Sequence, residues 1–92
     1  MKNYAFIGLG ALGMSMLESI SEVTDQIIAI DKDPQMIDRV KDMVQTAYVA
    51  DVLDEDALVK ILTEAVDVAI IDIPSDLEAS ILVIYRKPER NS

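Results

Sequence analysis

Six residues near the start of the chain, Gly8-Leu9-Gly10-Ala11-Leu12-Gly13, limit its fold more than any other stretch. Glycines spaced G-x-G-x-x-G let the backbone turn tightly and lie close to its surroundings, because no Cβ intervenes. The pattern has weight only in context. Tyr4 to Ile7 reads as a short strand that ends at the first glycine. Ala11 to Ile20 carries Leu12, Met16, Leu17 and Ile20 near helical spacing. A strand therefore passes through a glycine turn directly into a helix, the opening unit of a parallel α/β sheet.

The alternation continues. Ile27 to Ile30 is a continuous apolar run, as expected for a strand buried on both faces. Asp33 is placed to cap a helix with Pro34 at its first position, and Ile37, Val40 and Met43 or Val44 supply its apolar stripe. Thr46 to Ala50 reads as a third strand and Val68 to Ile73 as a fourth. Between them, Asp54 can cap a helix over Ala57, Leu58, Ile61 and Leu62. Ser75-Asp76-Leu77-Glu78 fits a capping box, which favours a further helix. The following Ile81 to Tyr85 has strand propensity, but the capping box and Ala79 lead to the expectation of a helix there. Met14, Met16, Met36 and Met43 read as core filler. The expected fold is a shortened Rossmann-type α/β domain, with about four parallel strands in the order 3-2-1-4 and helices on both faces. Residues 1–87 would form the domain and 88–92 a polar tail. With the fourth strand at an open sheet edge, self-association or pairing with a second subunit is expected.

Composition narrows the function. Seventeen acidic against eight basic residues give a formal charge of −9, which disfavours nucleic acid and anionic membrane surfaces as partners. The absence of Cys and His removes disulfides, thiolate chemistry, Cys/His zinc sites and histidine-based triads. No stretch approaches the ~18 apolar residues of a membrane span. The chain runs directly into a strand-like segment, so a cytoplasmic protein is expected.

The glycine turn also has a chemical reading. Asp31 closes the second strand, near the ~20-residue spacing of the dinucleotide fingerprint. Gly8 would permit the turn, Gly10 a close approach to phosphate, and Gly13 close packing of helix on strand. The amides and helix dipole would attract a pyrophosphate. Asp31 would accept from ribose hydroxyls, which favours NAD or ATP/ADP over NADP. The alternative is a tight turn with no ligand and a solvated Asp31. Asp51, just past the third strand, lies at the ligand edge or is a loop carboxylate. Asp72 interrupts an apolar strand, which is costly unless it is paired, near solvent or bound to a metal.

Four stretches together resemble the RCK, or TrkA-N, family of cytoplasmic regulatory domains of potassium channels and transporters. They are Phe6 to Gly13; Ile30-Asp31-Lys32-Asp33; Val49-Ala50-Asp51-Val52 followed by Glu55-Asp56-Ala57-Leu58; and Asp67 to Ile73 running into Asp76 to Ser80. The resemblance, from Tyr4 to about Lys87, implies a nucleotide-binding regulatory subunit. Such a subunit binds NAD(H) or ATP/ADP and assembles into a ring beneath a membrane-embedded potassium channel or transporter, peripheral to the inner face of the membrane, without itself inserting. It implies phosphate contacts at Gly8, Gly10 and Gly13, with Ala11 and Leu12 of the same turn among the binding residues, a ribose contact at Asp31 with Lys32 beside it, adenosine contacts at Asp51 and Val52, and Ile73 lining the site. Many family members carry Arg where this chain has Ala11. The chain also stops where the family's fifth strand is expected. The partner carboxylates of calcium-gated members belong to that later part, so no metal site is expected. Neither is a catalytic residue. The rival reading is the cofactor-binding part of an NAD-dependent dehydrogenase of the 3-hydroxyacid type, which opens with a similar glycine stretch.

Overall fold

The computed structural model describes residues 2–51, 56, 66–73 and 80–85. Three strands and two helices form the first half: β1 (Tyr4–Ile7), α1 (Ala11–Ser21), β2 (Ile27–Asp31), α2 (Pro34–Val40) and β3 (Thr46–Val49). They are followed by β4 (Val68–Ile73) and β5 (Ser80–Tyr85). The strands form one sheet in the order β3-β2-β1-β4-β5. β3, β2, β1 and β4 are mutually parallel, with Tyr4 beside Ile27 on one side and beside Val68 on the other. This is the expected α/β arrangement, with strand order 3-2-1-4.

The sheet is apolar on both faces. Phe6, Ile27, Ala29, Val68 and Ile70 face one cluster with Met14 and Leu17 of α1 and Ile37 and Val40 of α2. Met16, Met36 and Met43 pack at its margin as gap-filling side chains. Ala5, Ile7, Ile30, Val66 and Ala69 form a second buried cluster. Period-2 alternation within strands covered on both sides explains why β1 and β2 read as unbroken apolar runs. Both described helices thus pack on one face; the helix expected after Asp54 lies outside the described residues, Asp56 excepted. α2 begins as its sequence predicts, with Pro34 at its first position and the Asp33 side chain accepting from Gln35 N at 2.9 Å.

Two expectations are corrected. Residues 80–85 form a strand and not a helix, paired antiparallel to β4 from Ser80 opposite Ile73 to Tyr85 opposite Val68. The exposed backbone edge of β4 offers ladder hydrogen bonds along its whole length, and Ile81 to Tyr85 has the strand propensity to take them. The chain therefore contains a fifth strand, and β4 is not an open edge; β3 and β5 are the outer strands. The Ser75 capping box lies outside the described residues. The second correction concerns α1. Its buried face is Gly13, Met14 and Leu17, whereas Leu12 is 61% exposed. The Cβ position of Gly13 lies 3.1 Å from the Gly8 carbonyl oxygen, so the helix must turn this residue onto the sheet, and Leu12 then rotates off it.

The two leucines separate by stability. Leu17→Ala should cost about 2–5 kcal/mol through lost burial and a residual cavity, and Leu12→Ala should stay within about 0.5 kcal/mol of the parent. Urea unfolding of both variants tests the orientation of α1; equal costs would contradict it.

Candidate functional site

The carboxyl ends of the four parallel strands converge on the glycine turn. Gly8 adopts φ 86°, a left-handed backbone conformation that side chains disfavour, and this redirects the chain out of β1. Its N–H still reaches Ile30 O at 2.8 Å, so the turn stays joined to β2. Gly10 is the N-cap of α1 and supplies no side-chain cap. The first amides of a helix have no acceptor inside the helix. Two carboxylates from elsewhere in the chain approach these amides.

Asp31, at the end of β2, turns toward the turn and accepts from Leu9 N at 2.7 Å through Oδ2 and from Asp33 N at 2.8 Å through Oδ1. A carboxylate has about four lone-pair sites, so acceptor capacity remains for a hydroxyl on its half-exposed side. Asp72 reaches in from β4. Its Oδ2 accepts from Gly13 N at 2.8 Å across 59 residues of sequence. The side chain that caps α1 at its third position is therefore Asp72, and not the residue at the N-cap itself. It is buried, at 6% exposure, and this hydrogen bond is the pairing that a carboxylate inside an apolar strand requires. Among the described residues, no donor reaches its Oδ1, and no acceptor is found for the amides of Gly10, Ala11 and Leu12.

Asp72 changes the reason for two of the glycines. A Cβ on Gly10 would lie 2.8 Å from Asp72 Cγ and 2.9 Å from its Oδ1. A Cβ on Gly13 would lie 3.1 Å from Asp72 Cβ. The close approach that Gly10 makes in this structure is to a carboxylate of the same chain. Sequence reasoning missed this pairing. The available signal was a charged residue one position past Ile71, which lies beside Ile7 and so brings position 72 level with the turn.

The remaining expected positions fall around the same edge. Ala11 and Leu12 are exposed in the first turn of α1, and Lys32 is exposed just past β2. Asp51 is exposed beyond β3, one residue after Ala50, whose N–H donates to Asp31 O at 3.0 Å. Ile73 ends β4, and Val52 lies outside the described residues. The structure therefore brings together Gly8, Gly10, Ala11, Leu12, Gly13 and Asp31, with Lys32 and Asp51 at their margin. This is the crevice at the carboxyl ends of the strands where open α/β sheets take ligands. Among the described residues, no group of three or more Asp or Glu side chains is arranged to hold a metal.

The Gly10–Asp72 contact can be measured by a double-mutant cycle. Gly10→Ala should cost about 1–3 kcal/mol in the parent, as overpacking does, and markedly less in an Asp72→Ala background, where the obstructing carboxylate is gone. Additive costs in urea unfolding would mean that the two residues do not meet.

Comparison with known proteins gives the family. The model of the TrkA-N domain family matches residues 4–91. The chain is 28% identical over 81 residues to the Ktr system potassium uptake protein A of Vibrio alginolyticus. It is 31% identical over 81 residues to the Ktr system potassium uptake protein C of Bacillus subtilis (strain 168). Each alignment covers 88% of this chain and 37% of the relative, so the chain spans little more than a third of their length. No solved structure gives a significant match. A strand–glycine-turn–helix unit with an acid closing the second strand, in a sheet of order 3-2-1-4 and with a family match over nearly its whole length, places this chain in the TrkA-N domain family.

Proposed function

We propose that this chain is a nucleotide-binding regulatory domain of a potassium transport system. The observation that carries the reading is the glycine turn. Gly8 at φ 86° redirects the chain, the amides of Gly10, Ala11 and Leu12 open α1 without acceptors among the described residues, and Asp31 stands beside them at the end of β2. Such an arrangement suits an adenine nucleotide, NAD(H) or ATP/ADP, with phosphates at the helix N-terminus and the ribose at Asp31. Lys32, Asp51, Val52 and Ile73 complete the proposed contacts. The family match and the two potassium uptake relatives supply the transport context.

On this reading the domain performs no chemistry. It acts on a membrane-embedded potassium channel or transporter subunit from the cytoplasmic side, within an assembly of like subunits. The ligand shifts a conformational equilibrium only by binding one state more tightly than the other. Association through the outer strands of the sheet, or with a second subunit of the same family, would carry that shift to the membrane. No helix among the described residues is long and apolar enough to cross a membrane. Residues 1–87 are assigned to the binding domain and 88–92 to a tail.

The direct test is thermal unfolding with AMP, ADP, ATP, NAD and NADH. A ligand at 100 times its Kd should add about 2.7 kcal/mol of stability; no shift with any of the five would overturn the reading. Asp31→Ala should weaken binding by about 1.5–3 kcal/mol, the range for hydrogen bonds to a charged group. Titration calorimetry giving parental affinity would remove Asp31 from the site.

A further inference from the structure

We propose, resting on the nucleotide-binding reading above, that Asp72 is the specificity-determining residue of the glycine turn. Its carboxylate is a built-in anion at the start of α1, and it makes the site prefer adenine ligands of low phosphate charge over ADP and ATP.

The inference starts from two features of one side chain. Asp72 is more than nine-tenths buried, and its Oδ2 takes the amide of Gly13, a donor that would otherwise face an incoming anion. Its Oδ1 has no donor among the described residues, so the carboxylate is held against the turn with much of its charge uncompensated by hydrogen bonds. The absence of a Cβ on Gly10 leaves the carboxylate flush with the backbone that a phosphate would have to approach. On the other flank, Asp31 already takes the amide of Leu9. Carboxylates therefore satisfy two amides of the turn, and those of Gly10, Ala11 and Leu12 are left for a ligand.

The charge balance then favours one ligand class. A helix N-terminus contributes roughly half a positive charge. One buried carboxylate exceeds that, and because Asp72 is itself buried, its repulsion of a second anion held against the turn is less screened than between two exposed charges. Each further ionised phosphate adds to the repulsion, whereas the adenosine part is unaffected. A dinucleotide such as NAD, whose pyrophosphate is partly offset by a positive nicotinamide ring, meets less opposition than a fully ionised triphosphate.

The test is calorimetric titration of the chain and of Asp72→Asn and Asp72→Ala with adenosine, AMP, ADP, ATP and NAD in magnesium-free buffer. Asparagine keeps an acceptor for Gly13 N while removing the charge; alanine frees that amide and serves if the first variant does not fold, as judged by circular dichroism. Affinity for ADP and ATP should rise at least about tenfold in the variants, the scale expected for one charge removed nearby. Adenosine should change less than about twofold. If the ratio of ATP to adenosine affinity is the same in all three proteins, Asp72 does not set specificity, although the nucleotide reading stands if the parent binds. A uniform loss for every ligand would make Asp72 a purely structural cap and overturn the proposal. If none of the three proteins binds any ligand, the nucleotide reading falls and this proposal falls with it.

Discussion

The hydrogen bond from Gly13 N–H to the buried carboxylate of Asp72 ties the first helix to the fourth strand, and much of the architecture is arranged around it. α1 starts at a glycine with no side chain to cap it. A helix start inside a fold leaves amides that must find acceptors, and an acid inside an apolar strand must find donors. Each answers the other. The cost is steric: Gly10 and Gly13 cannot carry a Cβ without crowding the carboxylate or the Gly8 carbonyl. The close packing of Gly13 on Gly8 and Asp72 goes with a rotation of α1 that buries Met14 and Leu17 and turns Leu12 outward.

Around this contact the sheet closes by strand pairing on both flanks. β1 is central, with β2 and β4 parallel to it, and its residues from Ala5 to Ile7 are completely buried. β4 would be an open edge, but β5 returns antiparallel along it through six residue pairs. That pairing satisfies the backbone of a strand as apolar as Val68 to Ile73, whose exposed edge would otherwise be a template for another chain. The antiparallel direction distinguishes this last strand from the parallel set and leaves the carboxyl ends of the other four at one crevice.

That crevice is both suited and resistant to anions. Gly8 directs the backbone around it, and α1 presents amides to it. Yet Asp31 and Asp72 accept from amides at its two ends, and Asp33 and Asp51 stand exposed nearby. Four of the seventeen acidic residues, Asp31, Asp33, Asp51 and Asp72, thus stand around the place where a phosphate would enter. On the proposed reading, a turn that offers amides to a ligand and is lined by negative side chains would respond strongly to ligand charge.

Much of this was legible in the residues themselves. The G-x-G-x-x-G stretch, the apolar runs from Tyr4, Ile27 and Val68, and the Asp33-Pro34 start are local signals, each fixed by backbone sterics, burial or capping within a few positions. They determined the order of elements from β1 to β3, the fourth strand, the parallel set and the turn beside Asp31. What they could not determine depended on contacts between distant segments. Ile81 to Tyr85 is a strand because β4 offers a ladder, and a one-dimensional pattern contains no such edge. Asp72 is a cap because the register of β4 against β1 sets it level with a helix start 59 residues earlier. Local chemistry chose the pieces; tertiary structure decided which donor met which acceptor, since hydrogen bonds across that separation exist only once the sheet has formed.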